Sequence, residues 1–121
     1  MTIDDLIAAL EKATGPSREL DAEIARQLGW VCLDLRRPLR REGWMIPDGT
    51  TATLPKFSAS LDTALTLVWE DWTWDADASA PERGIDWRLH PPIEEERRSV
   101  EGTHRLAPIA LCIAALKARK K

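Results

Sequence analysis

Residues 60–74 read SLDTALTLVWEDWTW, and within them the spacing of apolar side chains changes from that of a helix to that of a strand. Leu61, Ala64, Leu65 and Val68 fall at i, i+3, i+4 and i+7, one face of a helix, whereas Trp72, Trp74 and Ala76 alternate with Thr73, Asp75 and Asp77. Ser60 is a helix N-cap, and Asp62 puts negative charge in the first turn, where the helix dipole favours it. The spacing predicts a helix ending near Val68 that passes its chain directly into a strand over residues 71–76, so the core forms here.

Working outward, the strand needs a partner. In residues 84–91, Ile85, Trp87 and Leu89 alternate with Asp86, Arg88 and His90, the clearest period of two in the chain, and Pro81 marks the intervening loop. The two strands read as a β-hairpin with Trp72, Trp74, Trp87, Ile85 and Leu89 on one face and Thr73, Asp75, Asp86, Arg88 and His90 toward water. Residues 94–101, EEERRSVE, carry no apolar period and read as a solvated charged segment.

Three further helices would cover that face. Thr2 with Asp5 three residues on begins the first, whose stripe is Ile3, Leu6, Ile7 and Leu10, and Gly15–Pro16 ends it. Ser17 caps the second, with Leu20, Ile24, Ala25 and Leu28 on one face and Gly29 as its stop. In residues 108–117, Ile109, Leu111, Cys112, Ile113 and Leu116 lie nearly all round, so this last helix must be covered on most sides.

Residues 30–35 allow a short strand with Val31, Leu33 and Leu35 as its apolar set. RRPLRREGWMIPDGTTATLPKF, residues 36–57, reads as a turn-rich excursion pinned by Trp44. The fold class that follows is α+β: a three-layer α/β/α sandwich of about four helices around a small antiparallel sheet with a central β-hairpin, a single domain over residues 1–121.

Composition narrows function more than it defines it. Six Trp beside one Phe and no Tyr suggest a Trp-filled core in preference to an exposed aromatic platform. The net charge of −3 weighs against nucleic acid, because a phosphate backbone selects a basic face. Cys32 and Cys112 are too few for a disulfide framework and point to reduced, packed thiols in a cytoplasmic protein. The N-terminus lacks the basic start of a signal peptide, and the longest uncharged apolar run, residues 106–116, is too short to span a bilayer.

Three stretches together resemble a known family: ATGP-S-RELDAEIA-x-x-LGW at residues 13–30, SLDTALTLV running into Trp72 and Trp74, and AP-x-ALC-x-AAL-x-AR at residues 107–119. The chain is similar here to the phage ABA-sandwich domain family of small phage and prophage proteins. Ala107 stands where members tend to have a capping Thr, and Trp69 where they tend to have Pro. The resemblance implies a helix–sheet–helix sandwich of phage or prophage origin and carries no catalytic residues.

Candidate chemistry is sparse. EIARQLG at residues 23–29 has the grammar of the first helix of a helix-turn-helix, but Trp30 and the residues after it are β-prone where a recognition helix should follow. Arg36, Arg37, Arg40 and Arg41 are the electrostatic support for nucleic acid as the alternative function. His90, His104, Cys32 and Cys112 lack the close spacing of a zinc knuckle. No G-x-S-x-G, H-E-x-x-H or P-loop pattern is present, so an enzyme with a site near Trp44 and Trp72 is the weaker alternative. The sequence therefore favours an accessory protein of the bacterial cytoplasm, without cofactor, metal or membrane, acting through protein–protein contact. Its partner would be a second copy, through an exposed hairpin edge, or another phage protein. Arg36, Arg37, Arg40, Arg41, Trp44 and Trp69 are the candidate contact residues.

Overall fold

Helix α4, Ala107–Arg119, lies at the centre of the molecule: every residue from Ile109 to Leu116 is buried. The computed structural model describes residues 2–33, 43–77, 84–92 and 98–119. A helix apolar on all sides is stable only when surrounded, and α4 is covered by a sheet on one side and by helices α1, Ile3–Lys12, and α3, Leu61–Leu65, on others. Full burial of Ile109, Leu111, Ile113 and Leu116 contributes roughly 1.5–3 kcal/mol per side chain.

The sheet against α4 is an antiparallel meander of β4, Thr73–Asp77, β5, Ile85–His90, and β6, Val100–His104, in the order β4-β5-β6. The register pairs Trp74 with Leu89, Ala76 with Trp87, and Trp87 in turn with Gly102. These residues share the α4 side. Gly102 is where helix and sheet approach most closely: a Cβ there would lie 2.4 Å from the Ala110 carbonyl oxygen and 2.5 Å from the Ala114 nitrogen. Both obstacles are backbone, so only glycine fits.

The expected hairpin is present, with its polar set outward, and the fold is α+β, with four helices and antiparallel sheets among the described residues. The solvated segment expected over residues 94–101 is corrected at its end, where Val100 and Glu101 begin a third strand, while residues 94–97 lie outside the described residues. The residues of β6 on the α4 side are Val100, Gly102 and His104, and with glycine at the centre no apolar alternation is left to detect.

A second small sheet joins β1, Val31–Cys32, β2, Trp44–Met45, and β3, Thr51–Ala52. It places two strands inside the stretch expected to be an irregular excursion. Asp48 organises the turn between β2 and β3 by accepting from the Thr50 N–H and hydroxyl, and these bonds lower its pKa. The expected face of residues 30–35 is reversed: Cys32 is buried, while Val31 and Leu33 are 50% and 52% exposed.

Helix α2, Arg18–Gln27, is fixed by polar bonds. Asp21, 1% exposed, accepts from the Ser58 N–H at 2.8 Å, the Ser58 hydroxyl at 2.7 Å and Arg18 at 2.9 Å. Arg18 also donates to the Leu54 and Pro55 carbonyls. The strand connection is thereby tied to the helical layer, and a buried carboxylate has the partners that such burial demands.

Helix α3 is shorter than the sequence spacing predicts, ending at Leu65 instead of near Val68. The Thr66 hydroxyl donates to the Thr63 carbonyl at 2.6 Å, the chain turns, and Leu67 enters the core.

Candidate functional site

The two faces of the β4-β5-β6 sheet have different surroundings. Trp87 and Leu89 are buried on the α4 side, whereas all five residues of β4 are exposed. Among the described residues, no strand pairs with the outer edge of β4. Trp74, on the α4 side, reaches past the helix: it is 50% exposed and tilts against Trp87 with ring centroids 5.0 Å apart. The sequence reading placed it on the inner face, and its ring does contact Trp87 there, but an edge position leaves half of it in water.

The open face carries charge. Arg88 lies 3.4 Å from Asp86 and 3.7 Å from Glu101, and Thr103 donates to Asp86. His90 joins Asp75, 2.6 Å from its Nε2, to Ser99, 2.9 Å from its Nδ1. If Asp75 accepts from Nε2–H, Nδ1 is left to accept from the Ser99 hydroxyl, which is the order of orienting carboxylate, base and nucleophile. Acyl transfer also requires aligned oxyanion donors and a site that excludes water. These three side chains stand on an open face, with Asp75 55% exposed. Clefts lined by described residues lie elsewhere, one of about 470 Å³ at the α1–α2 turn around Lys12, Gly15 and Glu19, and one of about 300 Å³ near Thr53 and Thr63. The cluster fits the polar surface of a sheet better than a reaction centre.

The other histidine is a structural fastener. His104 Nδ1 accepts from the Leu106 N–H at 3.0 Å, and its Nε2 donates to the Ala13 carbonyl at 2.7 Å, joining the β6–α4 corner to the end of α1. Cys112 donates to the Phe57 carbonyl inside the core. Burial, and secondarily the charge of Asp21, pushes its thiol pKa well up. It is therefore a packed thiol rather than a nucleophile.

Trp44 is wholly buried beneath the Arg26 guanidinium, which stands 5.6 Å above its ring, so the loop-pinning role holds and no contact surface includes it. Trp72 is only 5% exposed. An aromatic platform formed by these two rings is thus closed off. Trp69 is half-buried, 5.4 Å from Trp72, with the Arg119 guanidinium 4.9 Å from its ring. Arg119 also donates to the Leu67 carbonyl at 3.0 Å, and burial lowers its pKa. Trp69 thereby ties the end of α4 to the turn before β4. Arg36, Arg37, Arg40 and Arg41 lie outside the described residues.

The exposed hairpin edge was expected, but the sequence reading missed Ser99 and the half-exposure of Trp74 at that edge. The outward positions of Asp75 and His90 were legible from alternation, but Ser99 becomes their neighbour only once β6 is recognised. No family model matches the chain. No curated protein and no solved structure matches it either. No helix among the described residues is long and apolar enough to cross a membrane.

Proposed function

We propose that the protein is a small non-enzymatic accessory protein of a phage or prophage, acting in the bacterial cytoplasm by docking another protein chain on the edge of its β4-β5-β6 sheet. One observation carries the docking role: β4 is exposed along its whole length, with Trp74 half in water at the edge. Unpaired N–H and C=O groups along a strand edge accept an added strand, and main-chain hydrogen bonds then supply affinity while alternate side chains supply choice. The phage origin rests on the resemblance carried by residues 13–30, 60–74 and 107–119.

The experiment is co-purification from host cells carrying the phage, comparing the wild type with Trp74→Glu and with Lys56→Glu at an exposed position away from the sheet. The reading expects one partner to be retained by the wild type and Lys56→Glu and lost by Trp74→Glu. Equal retention by all three would refute docking at β4.

A further inference from the structure

We propose that Ser99 is a covalent acceptor for activated acyl groups, its proton drawn by His90 while Asp75 holds the imidazole in place. The three side chains form one row across the sheet. His90 stands opposite Thr73 of β4, which puts Asp75 on its diagonal, two residues along on the same face. Ser99 directly precedes Val100, the partner of Leu89, and so comes to lie beside His90 on the other side. The register of paired strands sets this spacing, and Arg88, the next side chain along β5 on this face, is held by Asp86 and Glu101.

The tautomer follows from the partners. A carboxylate only accepts, so the 2.6 Å contact between His90 Nε2 and Asp75 places the single proton of a neutral imidazole on Nε2. Nδ1 then offers a lone pair, and the Ser99 hydroxyl 2.9 Å away donates to it. Turnover of an unactivated substrate needs aligned oxyanion donors and exclusion of water, which an open face does not supply. A thioester or aryl ester already carries a good leaving group and needs only a serine that loses its proton as it attacks. In that step the bond from Ser99 Oγ to the acyl carbon forms as the proton passes to His90 Nδ1, and the bond from acyl carbon to sulfur or aryl oxygen breaks. The thiolate or phenolate leaves with the electron pair, and the imidazolium returns the proton to it or to water. Ser99 is exposed, so the donor can reach it, and the product is an acyl ester of Ser99 without turnover. The hydroxyls of Ser17 and Ser60 instead accept from the Leu20 and Thr63 N–H groups as helix caps, which makes them internal references.

The test treats the full chain with p-nitrophenyl acetate and locates the acetyl group by mass spectrometry of its peptides. Ser99 is expected to be acetylated about a hundredfold faster than Ser17 or Ser60, the gain that a positioned general base gives. The rate should fall on acidification, as Nδ1 takes a proton from solvent. His90→Gln should bring Ser99 down to the rate of Ser17 and Ser60, with circular dichroism unchanged. Asp75→Asn keeps the side-chain shape but no longer fixes the tautomer, so acetylation should slow about tenfold. Its acid limb should also move, which a loss of stability alone would not produce. Thr103→Ala, which removes a hydroxyl bonded to Asp86 on the same face, should leave the rate unchanged. Ser99 reacting no faster than Ser17 and Ser60, or as fast in His90→Gln as in the wild type, would overturn the proposal. So would acetyl found only on His90 or on lysines, or an unchanged rate and pH profile in Asp75→Asn.

Discussion

The α4 side and the open side of the β4-β5-β6 sheet are built from the same three strands, yet their contributions differ in kind. On the α4 side, Trp87, Leu89 and Gly102 meet a helix whose backbone stands so close that a single methyl group would collide with it. On the open side, Asp75 meets His90 and Glu101 meets Arg88 in solvent, where such pairs are worth about 0–1 kcal/mol. Stability therefore belongs to one face, and the other face and its edge can vary with a partner at little cost to the fold.

The largest expected effect breaks the buried side. Trp87→Ala should cost about 3–5 kcal/mol in urea unfolding, because a ring 4% exposed leaves a cavity, whereas Trp74→Ala should cost about 1 kcal/mol or less. A similar loss from both would mean that β4 is buttressed as firmly as β5.

Two carboxylates sharpen the contrast. Asp21→Ala strands the Ser58 donors and the Arg18 guanidinium and should cost about 3 kcal/mol, while Asp75→Ala should cost less than about 1 kcal/mol. Both values come from the same denaturant series, and near-equality would contradict the difference in burial.

Gly102→Ala tests the closest approach. The added methyl must displace α4 or β6, at a cost of about 1–3 kcal/mol, and the lowered Tm should be accompanied by changed amide shifts at Ala110 and Ala114. On the open face, Thr103→Ala should leave Tm within a few degrees.

The smallest effect appears only in alkali. The folded Cys112 thiol is raised by burial above its ordinary value of 9.0, so unfolding above that pH releases a proton. Stability from this group is complete below pH 9.0 and declines as pH rises beyond it, by up to about 1.4 kcal/mol per pH unit. Cys112→Ser keeps a donor for the Phe57 carbonyl but does not titrate in this range, so its alkaline decline should be shallower.

What the sequence made legible follows from the same division. Caps and stripes located α1 and α2, alternation located β4 and β5, and an all-apolar run located α4, because each leaves a local pattern. β6 escaped since its central core position is glycine, a choice dictated by the backbone of a helix that follows it in the chain. β1, β2 and β3 are two residues each, too short to show a period. The end of α3 depended on a threonine side chain competing for a carbonyl, and Leu67 rather than Val68 is the more deeply buried side chain. The candidate surface was half legible: outward Asp75 and His90 could be read, but the exposure of Trp74 depends on how far α4 extends across the sheet. The arginine cluster, the alternative nucleic-acid surface, lies outside the described residues.

Residue-resolved amide exchange of the free protein tests the central claim most directly, because it reports whether the edge of β4 is open. The account predicts fast exchange at the β4 amides that face away from β5, and slow exchange along β5, which is paired on both sides. Protection of the outer β4 amides comparable to that of β5 would contradict it.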